Sequence, residues 1–134
     1  MITKLLTLGA FFAAQFLITW YGYYMGGISS KGSFLGLEYE SAFISLLITQ
    51  LKFIWVPIII NLLYGFGFQS GNEGFSSFLV VISLWIAAAP LAAITLNLTR
   101  AGERIDLPII IGLILIVTGA IIVVSHKEIS KFIA

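Results

Sequence analysis

Residues 102–125 read GERIDLPIIIGLILIVTGAIIVVS: three charged residues lie within the first five positions, and no charge follows them. A helix needs about 20 apolar residues to cross a bilayer, because every backbone N–H and C=O must find its partner within the segment. The uncharged part therefore predicts a transmembrane helix over residues 107–125. Asp106 stands where it can cap this helix, and Pro108 falls in the first turn, where its missing N–H costs no hydrogen bond.

The rest of the chain has the composition of a membrane protein. Of its 134 residues, 60% are apolar and 10% are charged, whereas a soluble domain carries about 25% charged residues. We expect an all-α membrane protein that forms one domain over residues 1–134, with four transmembrane helices and short loops. The predicted helices cover residues 5–25, 42–66, 75–98 and 107–125.

The first apolar run has a competing interpretation as a cleaved secretory signal peptide, since Lys4 precedes it. The run is long enough to span a bilayer, and no small-residue cleavage pattern follows it. It ends instead in the aromatic sequence WYGYY at residues 20–24, which is typical of a membrane–water interface. We therefore expect a transmembrane helix here.

The composition also excludes several classes of chemistry. The chain has no cysteine and a single histidine, so neither a disulfide framework nor a thiol nucleophile is available, and a metal site is disfavoured. No nucleophile–base pair and no glycine-rich phosphate loop is evident. We expect no enzyme activity, no cofactor and no metal, and we expect no nucleic-acid partner because no soluble domain is predicted.

The charges leave the membrane orientation open. If the four helices alternate in direction across the membrane, each side carries three basic residues. One side has Lys4, Lys127 and Lys131, and the other has Lys31, Arg100 and Arg104. The positive-inside rule reads orientation from an excess of Lys and Arg on one side, and there is none here. Either the count is too small to be informative, or the chain inserts in both orientations and pairs antiparallel.

The opening stretch resembles the last loop and fourth helix of the small multidrug resistance family, part of the drug/metabolite transporter superfamily. Outside residues 102–125 the likeness reduces to the plan of four short-linked helices. It implies a transport function in a bacterial plasma (inner) membrane. The residues that carry the resemblance are Gly102, Glu103, Arg104, Asp106, Leu107, Pro108, Gly112 and Gly119.

Gly112 and Gly119 are seven residues apart, which is two helical turns, so they share one helix face. Small residues let the backbone of another membrane helix come close. In the family this face pairs two subunits, so the resemblance implies a homo- or heterodimer, antiparallel or pseudo-symmetric. The alternative is that both glycines pack inside one subunit.

The first helix departs from the family pattern. Proton-coupled members carry a membrane-embedded glutamate there, whereas residues 9–20 read GAFFAAQFLITW, with Gln15 at or next to that place. An amide does not titrate near neutral pH, so a proton cannot be exchanged for a cation at this position. A glutamine in this region resembles the small four-helix relatives that serve as flippase subunits for undecaprenyl-phosphate-linked aminoarabinose.

Two further polar residues lie in the second predicted helix. Lys52 would lie roughly 15 Å deep in a ~30 Å hydrocarbon core, which requires a partner or a water-filled cavity. The alternative is that the helix begins later, that residues 41–52 form an interfacial segment, and that Lys52 snorkels to the surface. Asn61 follows Lys52 by a little over two turns, and Pro57 between them can kink the helix.

Gln15, Lys52 and Asn61 are therefore the predicted substrate-binding residues. The leading hypothesis is a small membrane transporter or flippase subunit that moves a hydrophobic substrate, anionic or lipid-linked, with membrane lipid as a partner. The first alternative is a small multidrug resistance-type exporter of small cationic compounds. The second is a helix bundle that accompanies a larger membrane complex and transports nothing. The loop arginines could bind a lipid phosphate, or the loop could be a solvated turn with weakly paired charges.

Overall fold

The computed structural model describes residues 1–102 and 104–133 and consists mainly of helices. A π-helical turn, Asn97–Ala101, extends the fourth helix, and a two-stranded antiparallel hairpin follows the first helix. The hairpin was not predicted from the sequence. The helices are α1 (Ile2–Gly26), α2 (Ala42–Lys52), α3 (Trp55–Phe75), α4 (Phe78–Leu96), α5 (Leu107–Val124) and α6 (His126–Ile133), and the strands are β1 (Lys31–Phe34) and β2 (Leu37–Glu40).

Three segments are long and apolar enough to cross a membrane: α1, α4 together with the π turn as far as Arg100, and α5. Helices α2 and α3 are bent by 63° at a short break and add a fourth span if the pair counts as one. The structure thus confirms a predominantly helical chain with apolar helices of membrane-spanning length.

Helix α1 lies at the centre of the bundle, between α3 and α4. Phe11 is fully buried, and its ring meets the Phe68 ring edge-on at 5.1 Å between centroids. Helix α3 runs antiparallel to α1, because the Lys4 ammonium lies over the Phe75 ring at one end and Tyr24 contacts Phe53 at the other. We call these ends the N-terminal side and the hairpin side.

The second predicted helix, over residues 42–66, differs from the structure in two respects. The first is a break between Lys52 and Trp55. Pro57 has no N–H for the carbonyl four residues earlier, and its ring crowds that carbonyl, which belongs to Phe53. The Phe53 carbonyl instead accepts the Val56 N–H at 2.9 Å. The expected kink therefore lies one turn before the proline.

The second difference is that the helix does not end at residue 66. The sequence GFGFQSGNEG suggested a connection, yet α3 continues through it to Phe75 and ends at Ser76, whose φ is +51°. Gly67 and Gly71 are packing residues here. A Cβ added to Gly67 would lie 2.6 Å from the Phe11 ring, and one added to Gly71 would lie 2.8 Å from Val81. Helices α1 and α4 approach α3 closely at these two glycines, as at other small-residue interfaces in membranes.

The last two spans lie close to their predicted positions. Helix α4 begins three residues later than predicted, and Pro90 is accommodated within it. Helix α5 packs beside α4 and has no buried residue. Asp106 occupies the position before α5 but makes no side-chain capping bond, contrary to expectation. Its backbone carbonyl instead accepts the N–H groups of Ile109 and Ile110.

Candidate functional site

Gln15 lies in the interior of the bundle, about 20 Å along α1 from its start. Its side chain is 7% exposed, and its Nε2 donates a long hydrogen bond of 3.4 Å to the Trp85 carbonyl of α4. The Thr19 hydroxyl donates to the Gln15 carbonyl at 2.7 Å. The structure therefore places this predicted site residue midway through the span, with its amide directed towards α4.

Two more buried polar atoms have no hydrogen-bond partner among the described residues: Trp85 Nε1 beside Gln15, and Tyr21 OH about 9 Å further along α1. The Trp85 ring is held by Tyr64 of α3, at 5.9 Å between ring centroids. The sequence reasoning assigned no site to either residue. The available signal was the position of Trp85 within an apolar helix, since membrane tryptophans are enriched at helix ends. Two unused donors and the Gln15 amide make this interior weakly polar.

Closer to the N-terminal side, Thr7 of α1 and Ser70 of α3 form a buried hydrogen bond of 2.9 Å. Each hydroxyl also lies within hydrogen-bond distance of a carbonyl in its own helix, Thr7 of the Thr3 carbonyl at 2.9 Å and Ser70 of the Gly67 carbonyl at 3.4 Å, so either hydroxyl can be the donor. No charged side chain is buried in the described part of the chain. The buried polar residues are Thr7, Gln15, Ser45, Thr49 and Ser70.

Lys52 lies outside this interior. It is exposed at the end of α2, and its Nζ is 5.9 Å from the centre of the Phe34 ring in the hairpin. The next residue, Phe53, packs against Tyr24, nine residues beyond Gln15 in α1 and thus about 13 Å further along it. Lys52 consequently belongs to the hairpin side of the bundle.

Asn61 is exposed on α3, beside the buried Ile60 that faces α1. A helix turns 100° per residue, so the Asn61 side chain leaves the packed face on which Ile60 lies. The three predicted substrate-binding residues therefore occupy three different environments: the bundle interior, the hairpin-side surface and an outer helix face.

Two apolar grooves lie on either side of α5. A groove of about 430 Å³ between α4 and α5, which we call the α4–α5 groove, adjoins a smaller cavity of about 200 Å³ at the hairpin side. The two share Ile94, Ile105 and Leu113 as wall residues, and the smaller cavity is also lined by Arg104 and Asn97. The groove itself is lined by Ile94, Ile105, Ile110, Leu113, Ile114, Val117 and Thr118.

A second groove, of about 420 Å³, lies between α1, α4 and the other edge of α5. Val117 lines both grooves and thus stands where α5 faces α4. The walls of this second groove are almost entirely apolar: Leu8, Phe12, Leu84, Ala87, Ala88, Leu91, Val117, Ala120, Ile121, Val124 and Ser125.

Arginine charge at the mouth of the α4–α5 groove is not neutralised by a neighbouring carboxylate among the described side chains. The one ion pair among the described side chains joins Lys31 Nζ and Glu40 Oε1 in the hairpin, at 2.8 Å. Asp106 is exposed and does not line either cavity. Glu103, the other acidic residue of this loop, lies outside the described residues.

The glycine face of α5 points away from both grooves. Gly112 and Gly119 lie about 140° and 160° around the helix from Val117. A Cβ added to either glycine would meet nothing within 4 Å. These glycines therefore do not serve helix packing within one copy of the chain.

Comparisons with known protein families, with curated proteins and with solved structures find no match to this chain.

Proposed function

We propose that this chain is a four-span transporter or flippase subunit of a bacterial inner membrane that moves a hydrophobic substrate with an anionic group, such as a lipid-linked phosphate. The observation that supports this most directly is the α4–α5 groove, an open apolar groove that adjoins a cavity lined by Arg104. An arginine offers paired N–H donors that match the oxygens of a phosphate. The groove accommodates the hydrocarbon part and the arginine accommodates the head group.

The distribution of charge supports the same substrate class. Lys52 lies on the hairpin side together with Lys31, Arg100 and Arg104, so four basic residues face the end of the bundle where the groove has its polar mouth. Each basic residue near a membrane surface attracts anionic lipid by about 1 kcal/mol. In the described interior, Gln15 is a neutral amide and no carboxylate is buried, which does not favour exchange of a proton for a cation.

We further propose that the working unit is a dimer that pairs through the Gly112–Gly119 face of α5. Both positions are open in a single copy, and small residues seven apart allow close helix contact. An antiparallel or pseudo-symmetric pair, homo- or heteromeric, would bring two α5 helices together while leaving both grooves of each copy accessible from α4.

The test is movement of labelled lipid across vesicles that contain the purified protein. Phosphatidic acid with a fluorophore on one acyl chain is placed in both leaflets, and dithionite then destroys the fluorescence in the outer leaflet. We expect the wild-type protein to move labelled lipid from the inner leaflet to the outer leaflet, so that dithionite destroys its fluorescence as well. Arg104→Gln should slow this by about ten-fold or more, since a hydrogen bond to a charged group is worth about 1.5–3 kcal/mol.

Arg100→Gln is the matched control, because Arg100 is exposed and lines neither cavity. Val117→Trp should block the groove, whereas Leu115→Trp on the lipid-facing surface should not. Equal rates for Arg104→Gln and Arg100→Gln would remove the arginine from the site. No movement of labelled phosphatidic acid by the wild-type protein would count against the transport function itself.

A further inference from the structure

The turn of the β1–β2 hairpin contains a leucine where the backbone disfavours one. Leu35 and Gly36 form the turn with φ angles of +51° and +82°, as in the turns that favour Asn-Gly at these positions. A branched side chain in the left-handed region is strained. Leu35 is nevertheless 87% exposed, so contacts within the chain do not compensate for the strain. Such a local conflict is characteristic of a position held for a functional contact.

The hairpin is an amphipathic ribbon. Its register pairs Lys31 with Glu40, Gly32 with Tyr39, Ser33 with Glu38 and Phe34 with Leu37. Because successive strand residues point to opposite faces, one face carries polar side chains and the other is apolar, and Leu37 on the apolar face is 76% exposed. The polar face consists of Lys31, Ser33, Glu38 and Glu40, and the other face of Gly32, Phe34, Leu37 and Tyr39.

Helix α2 continues this apolar surface. The hairpin and α2 pack together, and the Ser45 hydroxyl of α2 donates to the Ser29 carbonyl just before β1, at 2.7 Å. Phe43, Leu47 and Leu51 follow one another at four-residue spacing and are all exposed, so they form a stripe along α2. The 63° bend between α2 and α3 turns this stripe away from the direction of the span.

The depth of this surface is marked by Lys52 and the aromatic residues beside it. Lys52 Nζ lies over the Phe34 ring at 5.9 Å, and Phe53 packs on Tyr24 at 5.3 Å. Aromatic rings and snorkelling lysines together characterise the head-group level of a bilayer. The exposed leucines of the turn thus lie beside the interface, with charged groups on the opposite face of the ribbon.

We propose that the hairpin and α2 form an interfacial platform that binds the lipid bilayer surface on the hairpin side. Leu35 and Leu37 enter the boundary between head groups and acyl chains, beside the Phe43–Leu47–Leu51 stripe. Lys31, Ser33, Glu38 and Glu40 face water. The partner is the bilayer itself, and this proposal does not depend on transport activity.

Because the chain has no cysteine, each position can be labelled singly in the full-length protein. Leu35→Cys carries an environment-sensitive fluorophore in phosphatidylcholine vesicles that contain a doxyl-labelled lipid. We expect doxyl groups to quench it and aqueous iodide not to, at a depth of about 5–10 Å below the head groups. Ser33→Cys, on the polar face, is the matched control and should be quenched by iodide only.

Leu35→Asn separates this function from folding, because Asn relieves the turn strain. In detergent we expect Leu35→Asn to keep or raise the melting temperature of the protein. In vesicles, a fluorophore at Leu37→Cys in the Leu35→Asn variant should no longer be quenched by the doxyl lipid. A Leu35 label quenched by iodide as strongly as the Ser33 label would overturn the proposal. A label shielded from both quenchers would also overturn it, since that result indicates a protein contact.

Discussion

Gly71→Ala is expected to destabilise the protein strongly, although alanine is the better helix former. The added Cβ would lie 2.8 and 3.0 Å from the two γ-carbons of Val81 and 3.1 Å from Cγ2 of Thr7. Val81 and Thr7 are completely buried, and β-branched side chains have few alternative rotamers. Relief therefore requires a shift between helices, and overpacking of this kind costs about 1–3 kcal/mol.

Gly65→Ala is the matched control. It lies on the same helix, and its added Cβ would meet nothing within 4 Å. We expect no loss of stability and a gain of up to about 1 kcal/mol, because alanine is the better helix former. The free energy of unfolding of both variants is measured in mixed micelles. Equal stability of the two would show that α3 does not pack through Gly71.

A double-mutant cycle tests the same interface at its second glycine. A Cβ on Gly67 would lie 2.6 Å from the Phe11 ring, so Gly67→Ala and Phe11→Leu should each destabilise the bundle. The double variant should lose less stability than the sum of the two single losses, because the leucine at position 11 leaves space for the methyl group of the alanine at position 67. Residues in contact typically show interaction energies of about 0.5–3 kcal/mol. Strict additivity would contradict the packing of α1 on α3.

Labelling at Lys52→Cys is expected to go to completion with a membrane-impermeant maleimide, whereas Leu62→Cys should not react. Helix α3 alone, with 21 residues, is about 31 Å long and matches a ~30 Å core. Residue 52 precedes it on the hairpin side, and residue 62 lies about 10 Å inside. Leu62 is 68% exposed on the protein surface, so its protection would come from the bilayer and not from burial in the bundle.

Glu73→Cys completes this experiment from the other end of α3. It is exposed in the last turn of the helix and should react only from the side opposite to Lys52→Cys. Labelling in intact cells then also gives the membrane orientation that the basic residues do not decide. A straight helix over residues 42–66 would give the reverse pattern, with residue 52 protected.

The sequence predicted the outer spans well because each is an apolar run bounded by charge or aromatic residues. Between residues 42 and 75 it placed the end of the second helix wrongly, because α3 continues beyond residue 66 to Phe75. Glycine is typical both of turns and of close helix contacts, and only the neighbouring Phe11 and Val81 distinguish the two uses. With the helix ended at residue 66, a start at Phe53 leaves a segment that is short for a span, so the sequence left both a buried and a snorkelling Lys52 open.

The candidate site was predictable only where polarity conflicts with the apolar surroundings. Gln15 stood out on that ground and is buried, whereas the roles of Trp85 and Arg104 depend on which helices meet. The adjacency of Arg104 to the α4–α5 groove results from the path of the loop before α5. The hairpin escaped prediction because its turn has a leucine before Gly36, where asparagine, aspartate or glycine usually marks such turns.

The attachment of α5 has a consequence for biogenesis. Among the residues whose burial the structure describes, the buried core belongs to α1, α3 and α4, with contributions from α2, and all of these helices precede α5. Helix α5 therefore leaves the ribosome after them, and it adds no buried residue. The nascent chain can therefore pack α1, α3 and α4 first and add α5 afterwards, either on its own α4 or on the α4 of a neighbouring copy. Assembly of such a protein would respond to its density in the membrane.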